Sequence, residues 1–419
     1  MIGRVGRVLS SAVATLAMIA LVSPAAANSA DEQKCSAQTE VSPDERIAAC
    51  TSLLRLDEYD RQNIARIYFN RGSANNIKGE YELAIADYSA AIEADPTAER
   101  AYYCRAVAHY HLGDFDRALA DLDRTIQLNS RNRIAHYARG LIYSRKGDYD
   151  RAIGDYTRSV QLTSQDQALQ KNQNEPNRKG DDLAAPVGGD AAASEPEGID
   201  GRIFLARGAT YYEKGDIDHA IDDYDQALRI NARDKDAFDY RARAYNAKGD
   251  FARAIVDADR AIQLDPEDAL AHRSRALAYF QSGSLTKALA DFDRATSLDP
   301  SDVYAALWRE IVSMRSGAPS RLAAATMKLD MTAWPAPIVR LFLGEVTAEE
   351  VLRAANDPLP AKRSGQICEA NFYSAEFALQ RGAKEQARRL FGLALADCPP
   401  TFVETHAATA QLKALGASP

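Results

Sequence analysis

Three aspartates lie close together in the stretch HAIDDYDQAL, residues 219–228, and raise the question of a metal or acid–base site. They are Asp222, Asp223 and Asp225. Clustered carboxylates can bind divalent cations or act as general acids and bases. The same stretch recurs, however, as LAIADYSAAI, RALADLDRTI, RAIGDYTRSV, RAIVDADRAI and KALADFDRAT. Because a catalytic group is needed only once, the recurrence indicates that these acids belong to a repeated frame.

The other reactive side chains form no enzymatic pattern. His109 and His111 are a close histidine pair, but residues two apart on a helix point in different directions, whereas helical metal ligands are spaced i and i+4. The sequence contains no G-x-S-x-G or H-E-x-x-H motif, no phosphate-binding glycine loop and no EF-hand loop. We therefore expect no enzymatic activity, no bound metal and no cofactor.

Small residues recur with a period of 34 residues, apart from one gap of 68. An alanine column and a second column of glycine or alanine keep the same spacing. The period therefore organises most of the chain. The glycines that define it are Gly79, Gly113, Gly147, Gly215, Gly249 and Gly283.

Each 34-residue repeat has the pattern of two helices joined by a tight turn. In one repeat, Gly215 is placed to end a first helix and Asp216 to cap the second. Small residues such as Gly208 and Ala227 allow the two helices to approach closely. Each repeat is therefore predicted to be an antiparallel helical hairpin.

Two charged columns run through the six strong repeats, an arginine on the first helix and an aspartate on the second. We expect these pairs to fix the helix register, because an arginine fork matches a carboxylate geometrically. Asp223 is predicted to meet Arg207 or Arg241, with Asp222 and Asp225 mostly solvated. The columns are Arg71, Arg105, Arg139, Arg207, Arg241 and Arg275, and Asp87, Asp121, Asp155, Asp223, Asp257 and Asp291.

The small, aromatic and proline columns resemble the tetratricopeptide repeat (TPR). That resemblance implies an all-α fold, a TPR α-solenoid in which antiparallel helix pairs form a right-handed superhelix. Its binding surface would be the concave groove lined by the first helices. The resemblance thus implies a scaffold or adaptor that binds a protein or peptide partner.

Projecting the repeat register onto that groove selects a set of aromatic, basic and histidine side chains as candidate peptide-binding residues. Tyrosine and arginine are enriched at binding hot spots, although TPR repeats also place aromatics between their helices. A merely solvated face, or a groove that binds a small molecule or glycan fragment, therefore remains an alternative. The selected residues are Arg66, Phe69, Tyr103, Tyr110, His111, Tyr137, Arg145, Tyr212, Arg243, Arg273 and Phe280.

The C-terminal segment shows a narrower resemblance, to the NlpI-type family of envelope TPR adaptors. It rests on Trp334-Pro335, on EANFY at 369–373 and on TFVETH at 401–406. The resemblance implies an adaptor for envelope hydrolases or a protease, with a homodimer as one form, and a role in peptidoglycan maintenance. Cys35 follows Gln33-Lys34 rather than a lipobox, so lipidation is not expected.

The N-terminus has the pattern of a cleavable signal peptide: two arginines, an apolar run at 8–22 and small residues up to Ala27. An uncleaved membrane anchor is the alternative, but the run is short for a span. We expect a periplasmic chain without a membrane anchor after cleavage. The formal net charge of −8, without a basic patch, argues against nucleic acid as a partner.

An oxidising compartment would permit disulfides, and the cysteine positions suggest two: Cys35 with Cys50, and Cys368 with Cys398. Buried thiols throughout are the alternative. Cys104 is interpreted as a packing residue.

The segment 165–200 is rich in Asn, Pro, Gly and Asp and is predicted to be a disordered loop, with a degraded repeat as the alternative. Residues 303–367 keep helical patterns without the period. The predicted segments are a signal peptide at 1–27, an N-terminal segment with a degenerate helix at 28–64, TPR blocks of three repeats at 65–164 and 201–302, the loop at 165–200, a degenerate helical region at 303–367, and a final TPR with a capping helix at 368–419.

Overall fold

The computed structural model describes residues 24–37, 41–56, 59–173, 199–399 and 401–416. These residues form 21 helices and no strand, which confirms the all-α prediction. None of the described helices is both long enough and apolar enough to cross a membrane. The chain divides into two compact units, which we call the N-terminal body (residues 1–130) and the C-terminal body (residues 131–419).

The N-terminal body contains α1 (Pro24–Ser36), α2 (Pro43–Leu53), α3 (Arg61–Ile77), α4 (Tyr81–Ala94), α5 (Glu99–His111) and α6 (Phe115–Leu128). The C-terminal body contains α7 (Arg133–Arg145), α8 (Tyr149–Gln173), α9 (Ile199–Lys214), α10 (Ile217–Ile230), α11 (Lys235–Lys248), α12 (Phe251–Leu264), α13 (Ala269–Gln281), α14 (Leu285–Leu298), α15 (Val303–Ser316), α16 (Leu322–Ala325), α17 (Ala336–Phe342), α18 (Ala348–Ala354), α19 (Pro360–Gln380), α20 (Lys384–Asp397) and α21 (Val403–Ala414).

Six hairpins, from α3–α4 to α13–α14, correspond to the six strong repeats. The turn glycine ends each first helix in the left-handed conformation, as Gly249 does with φ of 80°. An aspartate then caps the second helix in several repeats. The Asp250 carboxylate accepts a hydrogen bond from the Arg253 backbone N–H at 3.2 Å. The predicted helix–glycine–helix units are therefore present.

The column of small residues is explained by a tyrosine on the second helix. A Cβ atom added to Gly208 would lie 2.7 Å from the Tyr224 ring, closer than carbon atoms pack. Gly140 has the same relation to Tyr156, at 2.8 Å. Where the column has alanine, as at Ala106, the corresponding second-helix residue is not a tyrosine. The first helix therefore has glycine opposite each tyrosine, while the Phe292 ring of a later repeat is matched by Ala276.

All six predicted arginine–aspartate pairs form, each within its own hairpin. In the repeat that contains HAIDDYDQAL, Arg207 donates from Nε and Nη2 to Asp223 at 2.8 and 2.7 Å. Asp223 is buried, whereas Asp222 is exposed. The remaining pairs are Arg71–Asp87, Arg105–Asp121, Arg139–Asp155, Arg241–Asp257 and Arg275–Asp291.

The prediction that Asp225 is mostly solvated was wrong. Arg241 uses its remaining nitrogen, Nη1, to bind Asp225 of the preceding repeat at 2.5 Å. Arg275 binds Asp259 in the same way at 2.6 Å. Nη1 can bind an aspartate of the preceding repeat because the second helix of one repeat packs against the first helix of the next. In these repeats the arginine therefore joins two consecutive hairpins as well as the two helices of one.

The period also continues further than predicted, into the region 303–367. Helix α15 carries Arg309 and is followed by Gly317, each 34 residues after its counterpart in the preceding repeat. Arg309 donates to Asp293 at 2.6 Å. The second helix is lost because Leu322 and Ala325 replace the alanine and the aspartate of their columns. Only the four-residue α16 forms there.

Both ends of the segment 165–200, where a disordered loop was predicted, are helical. Helix α8 continues to Gln173 and α9 begins at Ile199, while residues 174–198 lie outside the described residues. The extension follows from local propensity, since Ala, Leu, Gln and Lys dominate residues 167–171. Most of the predicted signal peptide, residues 1–23, also lies outside the described residues.

Both suggested cysteine pairs are at disulfide distance. Cys35 and Cys50 join α1 to α2, with an S–S distance of 2.08 Å, and Cys368 and Cys398 join α19 to the end of α20, at 2.00 Å. Cys104 is a free thiol. Helix α1 was not predicted, while α2 and α21 fall where the degenerate helix and the capping helix were expected.

Candidate binding face and its C-terminal cover

The first helices of the N-terminal body carry five of the predicted groove residues, and these differ in accessibility. Arg66 on α3 and His111 on α5 are exposed. Phe69, Tyr103 and Tyr110 are half-buried. Arg66 and His111 are therefore the candidates in this body that are most open to a partner.

Packing within and between the hairpins accounts for the partial burial. The Phe69 ring lies 5.8 Å from the Tyr88 ring and under the Arg100 guanidinium at 5.3 Å. Tyr110 packs against Phe115, at the start of the following helix, at 5.7 Å. These aromatics thus serve hairpin packing at least in part, which is the alternative that the sequence left open.

In the C-terminal body, Tyr137 and Arg145 lie on α7. Tyr137 is half-buried against the Tyr156 ring at 5.9 Å, and Arg145 is exposed. The other four predicted residues lie on α9, α11 and α13. There the structure brings three of them, Tyr212, Arg243 and Arg273, to the wall of one cavity of about 210 Å³.

We call this wall the inner face, defined by the cavity-lining residues of α9, α11, α13 and α15. Besides the three predicted residues it includes Gln281 and Trp308. Phe280 does not belong to it. The Phe280 ring is 6% exposed, packs edge-on against Trp308 at 5.2 Å and lies under Arg315 at 4.7 Å. Its placement in the groove was therefore wrong, because the side chain turns into the core between α13 and α15.

The opposite wall of the cavity is formed partly by the chain's own C-terminus. We call residues 401–414 the C-terminal cover; they comprise the short link Thr401–Phe402 and helix α21. The Tyr212 hydroxyl donates to the Thr401 carbonyl at 2.9 Å, and the Gln281 amide donates to the Val403 carbonyl at 3.4 Å. The inner face thus holds a polypeptide segment by its backbone.

A third hydrogen bond runs from the cover to the inner face. His406 contacts the Ala247 carbonyl through Nε2. A carbonyl oxygen can only accept, so His406 Nε2 carries the proton. The other side of α21 packs on α20, with Ala407, Ala408 and Leu412 buried in the core.

Two buried carboxylates meet at the cavity, Glu369 on α19 and Glu404 on the cover. They are 7% and 4% exposed, and their hydrogen bonds come from uncharged donors. Tyr373 donates to Glu404 at 3.1 Å, while Trp334 Nε1 donates to Glu369 at 2.5 Å. Burial, with the negative charge of Glu369 second, raises the pKa of Glu404 to about 7. Burial also raises the pKa of Glu369.

The cavity also has two cationic side chains on its inner face. Arg273 binds Asp302 at 2.5 Å, so its charge is already balanced. Arg243 stacks over the rings of Tyr212 and Tyr240 at 5.6 and 5.9 Å. Its guanidinium forms no ion pair with any described residue. The carboxylates of Asp239, on the same helix, and Glu213 act on its charge without contacting it. Among the described residues, the inner face therefore presents one cation that has no carboxylate in direct contact.

No group of three or more His, Cys, Asp or Glu side chains in the described parts of the chain could hold a metal ion. His109 is buried and His111 exposed, so this pair does not converge. Burial raises the pKa of the Cys104 thiol to about 11, which keeps it protonated. Of the three aspartates in HAIDDYDQAL, Asp223 and Asp225 bind arginines of the repeat frame, and Asp222 is exposed.

Models of the tetratricopeptide repeat family match the chain at residues 241–313, and at 103–167 and 205–263, and a TPR repeat model matches at 72–113. No curated protein matches the chain.

Among solved structures, the C-terminal part of a TPR repeat-containing protein from Cytophaga hutchinsonii is 16% identical, with a TM-score of 0.47, over 67% of this chain and 96% of that one. PilF of Pseudomonas aeruginosa is 15% identical, with a TM-score of 0.46, over 59% and 98%. YrrB, described as a TPR protein with an unusual peptide-binding site, is 19% identical, with a TM-score of 0.39, over 52% and 95%.

Consecutive helical hairpins with a 34-residue period define an α-solenoid repeat protein. The chain is a tetratricopeptide repeat protein. Its repeats make it a scaffold for protein–protein interaction, and this family is typically not catalytic.

Proposed function

We propose that the protein is a periplasmic adaptor that binds segments of other proteins on the faces of its first helices, in the service of cell-envelope or peptidoglycan maintenance. The observation that carries the binding role is the contact between the inner face and the C-terminal cover. Tyr212 and Gln281 there donate to two backbone carbonyls of one short segment. A face that holds its own chain in this way is suited to hold another.

The periplasmic location is supported by the signal-peptide pattern of residues 1–27 and by the two cysteine pairs. Disulfides persist in oxidising compartments and are rare in the cytosol. The location is tested by fractionation and by the mass of the mature chain. A full-length chain in the cytosolic fraction would contradict it.

The envelope role is supported by the resemblance of the C-terminal segment to the NlpI-type adaptors. In this chain the residues of that resemblance are engaged in its core: Trp334 and Tyr373 hold the two buried carboxylates. Envelope hydrolases and proteases are therefore the first partners to test, and a homodimer is part of the same proposal.

The binding role is tested by photo-cross-linking in cells at matched pairs of exposed arginines. Position 66 on α3 and position 145 on α7 lie on first helices, whereas 117 on α6 and 151 on α8 lie on second helices. A photoreactive residue is introduced at each. We expect cross-links to a distinct envelope protein from 66 and 145 and none from 117 and 151.

A double substitution, Tyr103→Ala with Tyr137→Ala, should then weaken capture of that protein. Equal cross-linking from both helix types, or capture that the double substitution leaves unchanged, would contradict a partner bound on the first helices.

A second candidate is the binding of a small molecule or glycan fragment, which the cavity favours. Tyr304, Trp308 and Arg243 provide aromatic walls and a cation around about 210 Å³. Thermal shift against peptidoglycan fragments separates the two candidates. A large shift without any captured protein would favour the small ligand.

A further inference from the structure

The C-terminal cover contacts the inner face through its backbone as well as through its side chains. Both carbonyl acceptors, of Thr401 and Val403, are groups that every polypeptide has. The two donors, Tyr212 and Gln281, lie on different helices, α9 and α13. Thr401 lies in the turn before α21 and Val403 is the first residue of that helix. These bonds therefore select a segment that reaches from one first helix to another as a turn leading into a helix, and they do not require this particular sequence.

The side chains of the same segment indicate which sequence suits the cavity. Phe402, Val403 and Glu404 all line it, facing a wall that includes Leu277 and Trp308. An aromatic residue followed by an aliphatic one thus matches the apolar part of the inner face. The acidic residue that follows meets the polar part, where Arg243 and Arg273 lie.

The cover fits this polar part imperfectly. Glu404 is buried at the same cavity as another carboxylate, Glu369, and receives its hydrogen bond from a tyrosine rather than from a cation. The guanidinium of Arg243 lies at the same cavity without an ion pair. A segment that is not tethered to α20 can place its carboxylate on Arg243 instead, which satisfies the cation and avoids the second acid.

We infer that the inner face is the docking site for a segment of a partner protein that forms a turn leading into a helix and carries an aromatic, an aliphatic and an acidic residue in that order, and that the C-terminal cover occupies this site in cis. The partner segment takes the place of residues 401–406, while the rest of α21 remains packed on α20. This inference rests on the proposed function. It specifies the chemistry of the partner segment and proposes that the C-terminal cover regulates its binding.

The test measures fluorescence anisotropy of a labelled peptide with the sequence PPTFVETHAA, that of residues 399–408, added to the full mature chain. The cover is weakened by Phe402→Ala with His406→Ala, which removes one cavity contact and the bond to Ala247. The control is Lys413→Ala, an exposed position on the same helix. Circular dichroism verifies that each variant keeps its helix content.

We expect the cover-weakened variant to bind the peptide at least tenfold more tightly than wild type, and the control to bind like wild type. Adding Tyr212→Phe with Gln281→Ala to the weakened variant should abolish the gain. Adding Arg243→Gln should reduce it only for peptides that keep the glutamate. These results together would place the segment and its carboxylate on the inner face.

Unchanged affinity in the folded, cover-weakened variant would overturn the inference, as would a gain that survives loss of both donors. Light scattering adds one further outcome. A concentration-dependent dimer of the weakened variant that excludes the peptide would assign the site to a second copy rather than to a partner. Cross-linking from positions 66 and 145 is independent of the cover, so failure there would contradict the proposed function and leave this result interpretable.

Discussion

Replacing Glu404 by glutamine should tighten the C-terminal cover at pH 8 and change it little at pH 5. Glu404 is 4% exposed, and the pKa of its carboxyl is raised from 4.5 to about 7. A group whose pKa is higher in the folded state contributes stability that is full below its unfolded value and lost as the pH rises through the folded one. The cover should therefore loosen as the pH rises from about 4.5 to 7.

The size of the effect follows from the pKa. A tenfold change in a protonation equilibrium corresponds to about 1.4 kcal/mol, so ionised Glu404 costs the closed cover roughly 3 kcal/mol at pH 8. At pH 5 the cost is below about 1 kcal/mol, since the closed form is still protonated there. A glutamine avoids this cost and can still accept from the Tyr373 hydroxyl. The groups that act on Glu404 are Glu369 and Tyr373 on α19, Arg273 on α13, Tyr304 on α15 and Tyr212 on α9.

The assay is amide hydrogen exchange of α21 at both pH values, with wild type and variant compared at each so that intrinsic rates cancel. The opening free energy of α21 should rise by about 3 kcal/mol in the variant at pH 8 and by less than about 1 kcal/mol at pH 5. Glu349→Gln, at an exposed position on α18, serves as the control. Equal effects of Glu404→Gln at the two pH values would refute the reasoning.

Three further predictions concern the frame. Gly140→Ala should lower the free energy of unfolding by about 1–3 kcal/mol, because the added methyl meets a tyrosine ring at 2.8 Å. Gly154→Ala in the same hairpin, where an added methyl has nothing within 4 Å, should raise it by up to about 1 kcal/mol. Denaturant titration of both variants checks this, and a loss of stability in both would contradict it. Asp257→Ala should lower the free energy of unfolding by about 1–3 kcal/mol, because Nε and Nη2 of Arg241 lose their carboxylate. Asp222→Ala, at an exposed position, should lower it by less than about 0.5 kcal/mol. Equal losses of stability in the same titration would argue against the repeat frame. Reducing the Cys368–Cys398 disulfide, which joins residues 30 positions apart, should destabilise the α19–α20 hairpin by about 3–4 kcal/mol. Unchanged protease resistance of this hairpin after reduction would contradict the prediction.

The repeated part of the fold was predictable because its signals are local and recur. A glycine that must adopt positive φ, a small residue opposite a ring and an arginine sixteen residues before its aspartate each appear several times. The role of Asp225 was missed because it depends on the neighbouring repeat rather than on its own hairpin. The signal was nevertheless present, since Asp259 and Asp293 occupy the same column.

The candidate site was only half predictable for a different reason. The first-helix register predicts that Tyr212, Arg243 and Arg273 lie in the groove. The contact that closes their cavity, however, joins Tyr212 to Thr401, 189 residues away. Nothing periodic in the sequence links these positions. Phe280 was misplaced for a related reason, because Trp308, which covers its ring, belongs to a repeat whose second helix is lost.

The central claim is that the inner face of the C-terminal body binds a polypeptide segment in the place now held by the cover. The most direct test is hydrogen exchange of the full chain with and without saturating PPTFVETHAA peptide. We expect the amide of Thr405, which donates to the Phe402 carbonyl, and the amides of residues 406–408 to lose protection when the peptide binds, while those of α20 keep theirs. Peptide binding that leaves amides 405–408 fully protected would contradict the claim.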